Sequence, residues 1–131
     1  MIKLEDAMER VLVFQVKDED LEKLRKITGN MKIKVLAVEK EDFKQTIGDL
    51  LEQKSNPLIG SYEGEAASGS MIVLDGFSDK RLDTFLNALK REQTKLDYKA
   101  VTTTVNKKWT VLQMYLEMER ERSAYLQMMQ K

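Results

Sequence analysis

The chain contains no cysteine and no histidine. Their absence rules out disulfides, thiolate nucleophiles, Cys/His zinc sites, Ser-His-Asp triads and imidazole proton shuttles. Any catalysis would have to come from Asp, Glu, Lys, Arg, Tyr, Ser or Thr, so no catalytic residue and no cofactor is assigned. A non-enzymatic reading ranks first. There is also no excess charge of either sign: 22 Lys and Arg balance 22 Asp and Glu. Nucleic-acid-binding domains draw most of their affinity from a basic excess, so no nucleic-acid partner is expected. No apolar run approaches the roughly 20 residues that cross a bilayer, and no membrane partner is expected. The first ten residues carry acids where a secretory signal needs a basic start, which points to the cytoplasm. Proline occurs once, at Pro57, and glycine six times, so interruptions are few and their positions informative.

What the chain does have is 131 residues, 42% of them apolar, enough for one folded domain. Val-Leu-Val-Phe-Gln-Val at 11–16 reads as a buried strand. Asp18 follows as a helix cap, Leu21, Leu24 and Ile27 give the helix an apolar face, and Gly29-Asn30 suit its end. A strand at 32–38 completes a strand–helix–strand unit, for which a right-handed parallel crossover is the default. A second helix is expected from about Glu41, with Phe43, Ile47, Leu50 and Leu51 on one face. Lys54–Ser70 carries the proline and three of the glycines and has no period, so it reads as a long, weakly held loop.

A third strand at 71–74 leads to Ser78, an N-cap with Phe77 and Leu82 at hydrophobic-staple positions. A fourth strand runs from about Tyr98 to Thr103, and Asn106 can cap a last helix from Lys107 onward. The expected fold is α/β: one four-stranded, mostly parallel sheet flanked by helices, in the order βαβ, helix, loop, βαβ, long C-terminal helix. The second helix would return the chain for a parallel third strand, although the long loop could undo that return. A ferredoxin-like α+β sheet is the alternative. Residues 1–131 are read as a single domain, with 54–70 an internal loop and 121–131 an interface tail.

Three segments carry a family resemblance. They are Val38-Glu39-Lys40-Glu41-Asp42 to Ile47-Gly48, then Gly76-Phe77-Ser78 with Leu82-Asp83-Phe85-Leu86, and Lys99-Ala100-Val101-Thr102 to Asn106 and Trp109. On these the chain resembles the bacterial family known only as domain-of-unknown-function family 3783. The resemblance implies a bacterial domain and supplies no activity, substrate or catalytic residue.

Glycines at 64 and 69 have P-loop spacing, but Ser70 stands where the phosphate-binding lysine belongs. Asp75, Asp79 and Asp83 recur every fourth residue, yet an acid at a helix start is explained by the helix dipole, so no metal site is assigned. In open parallel sheets ligands bind beyond the strand carboxyl ends. That edge would collect Asp75, Gly76, Ser78, Thr103, Thr104 and Asn106, the ligand-binding set for a small anion, its identity unknown. Caps and turns account for the same residues without a ligand.

The last helix stands out most. Val111, Tyr115, Met118, Tyr125 and Met129 recur at spacings of four, three, seven and four, with Arg122 interrupting the stripe. Met118, Tyr125, Leu126, Met128 and Met129 form the expected interface, most simply between two copies of the chain. The competing reading folds this tail over Met1–Met8. From the charge balance, an arbitrary duplex or single-stranded RNA at physiological salt should give no submicromolar complex in a gel-shift titration.

Overall fold

In the computed structural model, which describes residues 8–129, the chain divides into two compact units. One comprises the residues up to Val38 with Ala66–Thr102, the other Glu39–Glu65 with the residues from Thr103 onward.

The first unit is the sheet. Its strands are β1 (Arg10–Phe14), β2 (Lys34–Ala37), β3 (Met71–Asp75) and β4 (Tyr98–Val101), in the order β2-β1-β3-β4. β1 pairs parallel with β2 and β3 parallel with β4, while the central pair β1–β3 is antiparallel. The fold is α/β with a mixed, mostly parallel sheet, as expected. The ferredoxin-like alternative does not apply. That fold splits its helix-linked strands around another strand, whereas here each such pair is adjacent. The parallel return of β3 is also not realised, because the loop after residue 51 reverses the chain. Consequently the carboxyl ends of β1 and β2 lie at one edge of the sheet and those of β3 and β4 at the other.

Val11, Val13, Ile72 and Leu74 point to one face. There they meet α1 (Asp18–Met31) through Leu24 and Ile27, and α3 (Asp79–Arg91) through Phe85, Ala88 and Leu89. Leu12, Phe14, Met71 and Val73 form the alternate row and are buried as well. Both rows follow from the two-residue period of a strand.

The two strand–helix–strand halves repeat in detail. Leu12 pairs with Val73 at the middle of the antiparallel ladder, and their surroundings match at equal sequence spacing. Gln15 and Gly76 each follow a strand with positive φ, and Lys32 and Gln93 each follow a helix with positive φ. Leu24 corresponds to Phe85 and Ile27 to Ala88. The third residue of each helix ties down the far end of the other. Asp20 accepts from Lys95 N at 2.9 Å, and Arg81 donates to Met31 O at 2.7 Å. Arg81 also grips Glu9 through two bonds of 2.8 and 2.6 Å, and this carboxylate partner raises the pKa of its guanidinium. The halves share few identities, so the repeat lies in backbone geometry and apolar position.

Several element limits differ from expectation for local reasons. α1 starts one residue after Lys17, which makes no side-chain cap, so Asp18 lies inside the first turn and serves the helix dipole. α1 runs past Gly29-Asn30 to Met31, where Lys32 takes the left-handed conformation. β1 ends at Phe14, because Gln15 at φ 52° leaves the ladder.

In the second unit the expected long helix is a 3-10 turn at Lys40–Asp42 and a short α2 (Ile47–Leu51) capped by Thr46. Asn106 does not cap the last helix. It belongs to a 3-10 turn at Asn106–Lys108, and α4 spans Val111–Met129. Thr110 and Gln113 form its capping box, each side chain accepting from the other's backbone N–H at 3.0 and 2.8 Å. No helix among the described residues is long and apolar enough to cross a membrane.

Gly76 sits at φ 84°, and a Cβ there would meet Met8 O at 2.9 Å. Gly76→Ala is therefore expected to cost about 1–3 kcal/mol, read as a lowered urea midpoint at unchanged slope.

Candidate functional site

The residues assigned from sequence to a ligand edge fall into both units. Asp75 closes β3, is 5% exposed, and is committed to its neighbours. Arg10, its ladder partner, donates to one carboxylate oxygen through Nη2 at 2.9 Å and Nε at 3.3 Å, and Thr102 Oγ1 donates to the other at 2.7 Å. Gly76 supplies the left-handed turn out of the strand, and Ser78 accepts from Arg81 N at 3.2 Å as the cap of α3. Phe77 packs on Phe85 with the rings tilted and their centroids 5.4 Å apart. In the second unit, Thr103 and Asn106 bond reciprocally, N–H to side-chain oxygen, at 2.7 and 3.0 Å, and Thr104 is exposed. Each of these contacts is one that a strand end or a turn requires for itself.

Sequence reasoning missed three anchors on the long loop. Buried Gln45 clamps Asn56 through both amide atoms, accepting from its N–H at 2.9 Å and donating to its carbonyl at 3.3 Å. Tyr62 packs on Phe43, with ring centroids 5.5 Å apart, and its N–H donates to Glu41 O at 3.1 Å. In the sheet unit, Gln15 likewise holds Ala67 and Gly69 through three bonds of 2.8–2.9 Å. A glutamine is a weak sequence signal, because nothing in its spacing says which backbone it will reach. These contacts fix a segment whose glycines alone suggest freedom.

Two hollows deserve description. One, of about 510 Å³ in the sheet unit, lies between the start of α1 and the turn into β4. Its wall includes Lys17, Asp20, Ser70, Lys95 and Asp97, and the Thr94 hydroxyl is buried there without a hydrogen-bond partner. Asp97 is occupied in accepting from Ser70 N at 2.8 Å. The mixture of signs selects no ligand class. The other hollow, of about 330 Å³, is formed by Trp109, Gln113, Leu116, Glu117 and Arg120. Trp109, expected as a core anchor, is only half-buried and lines this hollow. Arg120 and Glu117 are paired along α4 on one wall of it, and the guanidinium holds the Glu117 carboxyl below its ordinary pKa. Among the described residues no three acidic side chains gather where a metal ion would sit.

Among the described residues, exposed large apolar side chains concentrate on α4. Its first turns are core: Val111, Met114 and Tyr115 are at most 2% exposed. Met118 is half-buried, and from Arg120 to Met129 every residue is exposed. Tyr125, Leu126, Met128 and Met129 are 60, 48, 72 and 66% exposed. With Leu116 they make up more than half of the large exposed hydrophobic side chains among the described residues.

Residues 70–125 match the family model described as a domain of unknown function (DUF3783). The matched stretch is the β3–α3–β4 half of the sheet together with most of α4. It contains Asp75, Gly76, Ser78, Met118 and Tyr125 and stops short of Leu126. No curated protein and no solved structure matches the chain.

Since Arg10 and Thr102 both depend on one nearly buried carboxylate, Asp75→Ala is expected to lower the unfolding free energy by about 3 kcal/mol, measured by urea denaturation.

Proposed function

We propose that the protein is a non-enzymatic interaction module that self-associates through the distal half of α4. One observation carries the reading: the apolar stripe that is buried at Val111 and Tyr115 and half-buried at Met118 continues along the helix to Tyr125 and Met129, where it is exposed. Buried and exposed parts share one helical face. The exposed part therefore has the composition of a packing surface and lacks its cover. Methionine and tyrosine suit such a surface, the first by flexibility and the second by a large area at low entropy cost.

Magnitudes favour a modest affinity. Burying each large apolar side chain contributes about 1.5–3 kcal/mol, and a two-fold dimer counts each group twice. Against this stands the entropy of association, several kcal/mol or more. A seam this short covers less than the ~800 Å² per partner of a standard interface, so a dissociation constant in the micromolar range is expected. The competing reading, a tail covering Met1–Met8, falls on residues 1–7, which lie outside the described residues. The small-anion reading has against it that Asp75, Ser78, Thr103 and Asn106 are already engaged in hydrogen bonds to their neighbours.

The test is light scattering across concentration on the full chain and on a chain lacking residues 123–131. The full chain should pass from monomer to dimer, and the shortened chain should remain a folded monomer, because Val111, Met114 and Tyr115 are retained. A full chain that stays monomeric at high micromolar concentration would exclude self-association.

A further inference from the structure

The two halves of the sheet unit build the same corner, and only one corner is filled by a guanidinium of the chain. At each, the third residue of one helix meets the far end of the other: Arg81 of α3 in one half, Asp20 of α1 in the other. In the first corner Arg81 donates to Met31 O, at the carbonyl end of α1, and to the carboxylate of Glu9, the residue before β1. In the second corner lies the hollow of about 510 Å³, and its wall holds Asp20 and Ser70, the counterparts of Arg81 and Glu9. An acid is still present beside Ser70. The Asp97 carboxylate accepts from Ser70 N at 2.8 Å and from Ser70 Oγ at 3.2 Å. Thr94 stands where the first corner has buried Ile33, each following the left-handed residue after a helix, and its buried hydroxyl has no hydrogen-bond partner.

We propose that this hollow binds the guanidinium of a small zwitterion, a free basic amino acid of the arginine type. The signs of its wall alone select no ligand. The internal repeat does, because the filled corner shows a guanidinium held between an acid and the carbonyl end of a helix. Asp20 is 6% exposed and accepts one hydrogen bond, from Lys95 N at 2.9 Å. Among the described residues no side-chain cation pairs with Asp20 or Asp97. A carboxylate so far removed from water is ordinarily matched by a cation or by several donors. The planar fork of a guanidinium offers five N–H donors to two such carboxylates and a hydroxyl. The carbonyl end of α3 favours the same positive charge. Lys17 and Lys95 also line the hollow and are exposed, which suits the carboxylate at the other end of the ligand. The volume lies within the range of small-molecule sites. The proposal is independent of self-association through α4.

The test is a titration of the isotope-labelled full chain, followed by its backbone amide resonances. L-Arginine should shift the amides of Ser70, Thr94 and Lys95 saturably. Citrulline, which has the same length and a neutral urea in place of the guanidinium, should bind about tenfold more weakly or worse. Asp20→Asn keeps an acceptor for Lys95 N–H and removes the charge, and Asp97→Asn does the same beside Ser70. Each should weaken arginine binding by a similar factor. Asp97 is exposed, so its variant carries the test if the buried Asp20 variant fails to fold. Nα-acetyl-argininamide stands for an arginine within a peptide and should bind several-fold more weakly than the free amino acid. Tighter binding of this amide would make a peptide arginine the occupant and overturn the free amino acid. No saturable shift at millimolar arginine, equal affinity for citrulline, or unchanged affinity in the Asp97 variant would overturn the site.

Discussion

The antiparallel pairing of β1 with β3 is the contact on which the sheet unit depends. It joins two strand–helix–strand halves that each leave a strand edge and an apolar helix face uncovered. Because Leu12 sits opposite Val73, Val11 and Val13 align with Leu74 and Ile72, and the four together form the floor under α1 and α3. A slip of one residue would turn these side chains to the opposite face. The ladder is closed differently at its two ends. Arg10 and Asp75 form a paired charge at one, Phe14 and Met71 an apolar contact at the other. The polar end fixes register through hydrogen-bond geometry, which an apolar contact alone does less sharply.

The repeat of the two halves explains features that look unrelated in the sequence. Gln15 and Gly76 solve one problem, a left-handed turn between strand and helix, with different residues. Glycine does so without steric cost. Glutamine accepts the strain while its side chain bonds Ala67 and Gly69, next to the start of the opposite central strand. Gly76 correspondingly lies against Met8, next to the start of β1. Asp20 and Arg81 likewise do equivalent work with opposite charges, because one must accept from a backbone N–H and the other donate to a carbonyl. Residue identity is therefore a poor guide to the duplication, and position a good one.

The residues of the expected ligand edge are each explained by the local backbone they serve. Ser78 caps, Gly76 turns, Asp75 closes a ladder, and Thr103 with Asn106 satisfies a 3-10 start. The distal part of α4 differs in kind. No local requirement explains Tyr125, Met128 and Met129, since an exposed helix turn is served as well by charged residues. That contrast between polar groups with local employment and apolar groups without it directs attention to the helix as the working surface.

The sequence by itself determined the elements whose signal is local. Short runs rich in β-branched and apolar residues gave four strands, and Leu21, Leu24 and Ile27 or Leu82, Phe85 and Leu89 gave two helices. The stripe on α4 was legible through Met129 for the same reason, as helical spacing is written along the chain. The parallel pairing within each strand–helix–strand half was also expected, but only the tertiary structure decided that the halves join antiparallel through β1 and β3, because that depends on where a seventeen-residue stretch without periodicity, 54–70, delivers the chain. It also decided that the segment around Glu41 is a 3-10 turn rather than the start of a helix running through Leu51, and that Thr110, not Asn106, caps α4. Several residues in each region can serve as caps, and the one used is fixed by long-range contacts. Gln45 and Gln15 were invisible for the corresponding reason. A side-chain amide finds its backbone partner in space, and sequence spacing carries no record of distances that only folding creates.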